Sequence, residues 1–241
     1  QEITCSLTMP LKLIPVLISA GGEWDAVVSI LQPPSLQQSL PGAHFQTELA
    51  GQPCLFFHSG WGKIATAAST QYIIDHFQPE LIVNVGTCGG LAGSSQVGEI
   101  LIVDETLIYD IVERMDDPKT ALDHYATVND TSWITNPLPT GTRKARVISA
   151  DQDIDYQSYD LLTQTHKADA ADWETGAFAW VATWNHTPWL ALRAVSDLVS
   201  SKASETDNSV ELWRSRLDQL MSKVLTDLPF YFMEFKRNVI S

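Results

Sequence analysis

NVGTCGGLAGSSQVGEILIVDE, running from Asn84 to Glu105, joins an apolar run to a glycine-rich turn and then to a second apolar run. The first run, LIVNV (Leu81–Val85), has the length and branching of a buried strand. Gly86, Gly89 and Gly90 follow it, so the backbone there can approach a ligand closely. The spacing is not that of a Walker loop, because no Lys-Ser/Thr pair closes it. It is not a dinucleotide fingerprint either, since the run reads Gly-x-x-Gly-Gly-x-x-Gly. Taken alone, such a glycine cluster is as often a plain turn as a ligand loop.

Short apolar runs alternate with longer helical patterns on both sides of this stretch. LIPVLIS (Leu13–Ser19) and CLFFH (Cys54–His58) read as strands, and so do Glu99–Val103, Leu107–Val112, Arg146–Ala150, Asp169–Ala171 and Trp189–Val195. Helices are expected over Glu23–Leu31, Ile64–Phe77, Glu174–Asn185 and Val210–Phe235. Alternation of this kind implies a largely parallel sheet with helices on its faces. The expected architecture is therefore an α/β fold, one three-layer α/β/α domain over residues 9–241 with a mixed central sheet. The chain opens on Gln1 rather than Met, and residues 1–8 read as an expression remnant or disordered leader outside the domain. Asp116–Thr142 is rich in Asp, Pro, Thr and Asn and long for a connection, which suggests a mobile segment covering the site.

Composition narrows the function. The 241 residues carry 15 basic and 29 acidic side chains, a formal net charge of −14, which argues against a nucleic-acid partner. Cys5, Cys54 and Cys88 are too widely spaced for a disulfide framework or a zinc pair, and a reducing cytoplasm is the simplest setting. No apolar run reaches the roughly 18 residues of a membrane span. Histidines form no His-Glu-x-x-His pattern, and no Gly-x-Ser-x-Gly elbow is present. Neither a metal nor a cofactor is expected. In open α/β sheets ligands gather at the carboxyl ends of strands. Those ends carry Ser19–Glu23, Ser59–Lys63, Gly86–Gly90, Asp151–Asp155, Asp172–Glu174 and Ser196–Asp197.

Four ordered motifs, SGWGKIATA (Ser59–Ala67), NVGTCGGLAG with VGEILIVDE (Asn84–Glu105), ADWETGAFA (Ala171–Ala179) and RAVSD (Arg193–Asp197), are similar to those of the nucleoside phosphorylase superfamily. Within it the chain resembles methylthioadenosine/S-adenosylhomocysteine nucleosidases over roughly Leu13–Val199. The resemblance implies hydrolysis of a purine N-glycosidic bond without a cofactor, in a homodimer. It implies that Asp197 protonates the leaving base, that Glu174 holds the ribose hydroxyls, and that Thr87 and Gly89 line the ribose side. Trp173 stands where the family usually places a methionine against the ribose, and Ser196 helps orient the base. For the acid that positions water the candidate is Glu23, with Asp25 as the alternative because the spacing is one residue short. Asp153, followed by Ile154, occupies the place of an aromatic that stacks on the base, so adenine is not secured. Trp61 replaces a small aliphatic residue beside the expected 5′-substituent pocket.

Each of these residues has a plainer reading. Glu174 alone reads as a helix N-terminal acid, Asp197 as an N-cap, and Lys63 as an ordinary exposed lysine. A phosphate-dependent phosphorylase and a catalytically inactive nucleoside-binding protein are the competing functions. Similar phosphorylases carry an arginine just before the glycine turn, where this chain has Asn84.

Overall fold

A computed structural model describes residues 12–39, 42–205 and 209–240. The expectation for residues 1–8, together with Cys5, lies outside the described residues. Strands form at β1 (Ile14–Ile18), β2 (Gln37–Gln38), β3 (Ala43–Leu49), β4 (Gln52–His58), β5 (Ile82–Leu91) and β6 (Ile100–Thr106). The remaining strands are β7 (Thr127–Val128), β8 (Thr142–Ser149), β9 (Ala170–Asp172) and β10 (Trp189–Val199). The α-helices are α1 (Gly21–Leu31), α2 (Gly62–Phe77), α3 (Pro118–His124), α4 (Thr175–Trp184) and α5 (Val210–Phe235).

All these strands join one mixed sheet. β4, β1, β5 and β10 run parallel to one another in that order, and β3 adds antiparallel to β4. Beyond them β10 pairs β6, β6 pairs β8, β8 pairs β9, and β9 returns to β5, so five strands close into a ring. Period-two alternation divides the apolar side chains between the sheet's faces. Val16, Ile18, Val83, Val85, Leu190 and Leu192 pack with Trp24 and Val27 of α1 and Met221, Val224 and Leu228 of α5. Leu17, Ile82 and Ala191 point the other way, into a cluster with Ile73 of α2 and Phe178 of α4. Each fully buried aliphatic side chain contributes about 1.5–3 kcal/mol relative to exposure. These two clusters therefore position the strand ends that carry the polar residues.

Four expectations are corrected. The glycines after Val85 do not turn the chain; β5 continues through them to Leu91. They are needed for close packing: a Cβ on Gly90 would lie 2.6 Å from the Val195 side chain, and one on Gly89 2.7 Å from that of Ile154. Leu107–Val112 is not a strand and keeps a single bridge, Ile108 to Ser149. The strand β3, with only the two-residue β2 beyond it, has polar, weakly alternating sequence (AHFQTEL) and was not expected. Finally, Asp116–Thr142 does not cover the site. Thr135 and Asn136 donate backbone N–H bonds of 2.8 and 3.0 Å to Glu234 near the end of α5, and Trp133 packs edge-on against Phe235. Asn129 ties the same segment to the carbonyls of Val103 and Trp189.

Candidate active site

The carboxyl ends of β1, β5, β9 and β10 meet the first turns of α1 and α5 around a cavity of about 860 Å³. All ten residues singled out from the sequence line it: Glu23, Trp61, Thr87, Gly89, Asp153, Ile154, Trp173, Glu174, Ser196 and Asp197. Asp25 is exposed and does not line it, so Glu23 is the acid of α1 that faces the cavity. Among the described residues, no group of three His, Cys, Asp or Glu is placed to hold a metal ion.

Glu23 sits in the first turn of α1 and is buried. Its Oε1 accepts bonds from the Thr87 N–H at 2.6 Å and the Thr87 hydroxyl at 2.7 Å, and its Oε2 lies 3.4 Å from the Ala20 N–H. Gly86 must lack a side chain here, because a Cβ would fall 2.8 Å from Oε2. Burial pushes the carboxyl above its ordinary range, against the opposing Arg193 charge and the Thr87 and Ala20 bonds.

Glu174 occupies the N-cap position of α4, as its helix N-terminal reading expects, but makes no side-chain bond to that helix. Its Oε1 instead accepts from the Gly62 N–H at 2.9 Å, across from the start of α2. Burial, then the nearby Asp172 charge, push its carboxyl up to about 8. An acid whose folded value is raised favours the fold at low pH and loses that contribution as pH rises from the unfolded value toward 8. Glu174→Gln keeps an acceptor for Gly62 and removes the titration. The variant's stability relative to the parent should therefore rise between pH 4.5 and 8, as read by urea denaturation without ligand. A difference that stays flat across that window would show that Glu174 is not held in a desolvated place.

Asp197 lies inside β10, which continues to Val199, so it is not an N-cap. The pairing of β10 with β5 shifts register between Val195 and Asp197. Strict alternation would give Asp197 the face of Val195, which is buried in the apolar cluster; the bulge re-aims it into the cavity. The Ser196 hydroxyl donates to Asp197 Oδ1 at 2.5 Å and lies 3.1 Å from the Cys88 carbonyl.

Several residues at the site were not legible as such. Arg193 is fully buried in β10 and pairs with Asp172 at 2.6 Å. It also donates to the Asn84 side chain, and Asn84 donates to the Leu17 carbonyl at 3.0 Å. Asp172 further accepts from Ser149 and Thr175. The signal available was one arginine inside the run WLALRAV, which burial obliges to find a charged partner. Trp213 of α5 lines the cavity too, donating to the Thr87 hydroxyl at 3.0 Å. Lys63 is not an exposed lysine: its ammonium pairs with Asp110 and lies 3.7 Å from Asp151, while its N–H donates to Asp151 at 2.8 Å.

A family model described as the phosphorylase superfamily matches residues 32–228. The chain belongs to this superfamily. Its matched span includes Thr87, Glu174 and Asp197 but begins after Glu23. Among curated relatives, the 5′-methylthioadenosine/S-adenosylhomocysteine nucleosidase of Listeria welshimeri is 31% identical over 181 residues, 68% of this chain and 77% of that one. The protein of the same name from Staphylococcus haemolyticus is 28% identical over 172 residues, 66% and 75% of the two chains. Solved structures show the same fold. The Campylobacter jejuni nucleosidase of that name aligns with a TM-score of 0.71 at 18% identity, covering 90% of this chain and 98% of that one. A futalosine hydrolase mutant from Helicobacter pylori aligns at 0.70 and 14% identity, covering 94% and 100%.

Proposed function

We propose that this protein hydrolyses the N-glycosidic bond of a purine nucleoside of the 5′-methylthioadenosine/S-adenosylhomocysteine kind, releasing free base and a ribose derivative. The observation that carries this is the convergence of Glu23, Glu174 and Asp197 on one cavity with no lysine or arginine in its lining among the described residues. Cleavage builds positive charge on the sugar and negative charge on the base. Glu174 takes the ribose hydroxyls on its carboxyl oxygens; bonds donated by the hydroxyls favour the ionised form and offset the burial that raises this group, leaving a strong and directional acceptor. Glu23, held by Thr87, orients water toward C1′ and takes its proton. Asp197, oriented by Ser196, delivers a proton to N7, so the base leaves neutral. Thr87 and Gly89 line the sugar side, Trp173 lies against the ribose, and Asp153 and Ile154 border the base.

A phosphorylase would need cationic side chains for a phosphate dianion. Asn84 is neutral and engaged with Arg193 and Leu17, and Lys63 is engaged with Asp110 and Asp151. Water is therefore the nucleophile in this account. An inactive nucleoside-binding protein would bind without releasing base. Incubation with a panel of purine nucleosides, with free base read by chromatography, separates the two; binding without base release would favour the inactive protein.

The rest of the proposal concerns context. The described residues belong to one three-layer α/β/α domain. The protein works in a reducing cytoplasm, in keeping with the free, buried Cys54 and Cys88. Among the described residues no helix is long and apolar enough to cross a membrane. It acts as a homodimer; the exposed apolar side chains of Trp61 and Ile64 at the start of α2 support a covered face there.

A further inference from the structure

Glu23 is tied to a residue outside the reaction steps described above. Trp213 of α5 is half-buried, and its indole N–H donates to the Thr87 hydroxyl at 3.0 Å. The ring reaches Thr87 across the first turn of α1. A Cβ on Gly22 would fall 2.8 Å from the far edge of the indole, so the residue before Glu23 is bare where Trp213 passes. An indole N–H donates and never accepts. The hydrogen of the Thr87 hydroxyl therefore points away from Trp213 and goes to Glu23 Oε1, 2.7 Å away. The Thr87 N–H reaches the same oxygen at 2.6 Å. Trp213, Thr87 and Glu23 thus form a chain of bonds with one direction, and each donation along it strengthens the next. With Oε1 taken by two donors, Oε2 is the oxygen left to meet a ligand. It lies 3.4 Å from the Ala20 N–H, at the long end of a hydrogen bond.

Resting on the nucleosidase reading, we propose that Trp213 is a positioning residue for hydrolysis. Acting through Thr87, it fixes the Glu23 carboxylate with Oε1 engaged and Oε2 turned to the attacking water. Without the indole N–H, the Thr87 hydroxyl is free to turn round and accept from a protonated Glu23 instead of donating to an ionised one. The other titratable groups that act with Glu23 are Arg193 of β10, Glu174 ahead of α4 and Cys88 of β5, and a change at Trp213 leaves all three in place.

Trp213→Phe keeps a ring over α1 and removes the N–H. It should lower kcat about fivefold, the weight of one neutral hydrogen bond, and leave KM within about twofold. The Glu23 carboxyl, followed in the free protein by NMR of carbon-13-labelled glutamate, should titrate at higher pH in the variant than in the parent. A smaller ring that merely admitted water would move it the other way, because hydration favours the charged form. Thr87→Val removes the hydroxyl through which Trp213 acts. In that background Trp213→Phe should cost little further kcat and leave the Glu23 titration where it is. An equal loss of kcat in both backgrounds, or a Glu23 titration unmoved or lowered by Trp213→Phe alone, would overturn the proposal. A titration that shifts as expected in a protein whose parent cleaves no nucleoside would overturn the nucleosidase reading and leave the chain from Trp213 to Glu23 standing.

Discussion

Asp197→Asn is expected to lower turnover of a purine nucleoside by at least about 10²-fold, while the protein stays folded. The substitution keeps the shape and retains an acceptor for the Ser196 hydroxyl, but it removes the proton that the proposed mechanism delivers to the leaving base. Without that proton the base departs as an anion. The loss should fall on kcat more than on KM, because the proton moves only as the bond breaks. A variant that works at near parental rate would show that another group discharges the base. A variant that fails to bind would show that Asp197 serves recognition instead.

Arg193→Met is expected to be the most destabilising single change, by about 3–5 kcal/mol, because it leaves the buried Asp172 carboxylate without its cation. Asp172 would keep the Ser149 and Thr175 donors, which are neutral and cannot replace a guanidinium. Activity should also fall, since the Arg193 charge acts on Glu23 and Glu174. In a double-mutant cycle, adding Asp172→Asn should cost less in the Arg193→Met background than in the parent, as the lone charge is then gone. Urea denaturation of the four proteins reads this. A change in stability below about 1 kcal/mol would mean that the pair is screened like a surface salt bridge.

How much of this was legible in the sequence follows from the physics of each element. Strands such as LIPVLIS and LIVNV are buried on both faces and so appear as unbroken apolar runs. The long amphipathic pattern of α5 gave Val210–Phe235 to the residue. β3 escaped because a strand near the sheet's edge, half open to solvent and flanked outside only by two-residue β2, needs no apolar run. The glycines after Val85 were visible, but their purpose was not: they admit Glu23, Ile154 and Val195, residues from distant parts of the chain. The cavity-lining residues were found through motif similarity and strand ends. The partners of Lys63, Asp172 and Arg193, and the place of Trp213, were not, because they are pairings made only on folding. The bulge before Asp197 has no mark in RAVSD itself, yet it is what turns that acid into the cavity.

The central claim is that water, not phosphate, attacks the sugar. Cleavage should be followed in phosphate-free buffer and again with added phosphate, with both base and sugar products quantified. The account predicts base release without phosphate, at a rate that phosphate does not raise, and free ribose or its 5′-derivative as the only sugar product. A strict dependence on phosphate, with sugar 1-phosphate formed in step with the base, would contradict it.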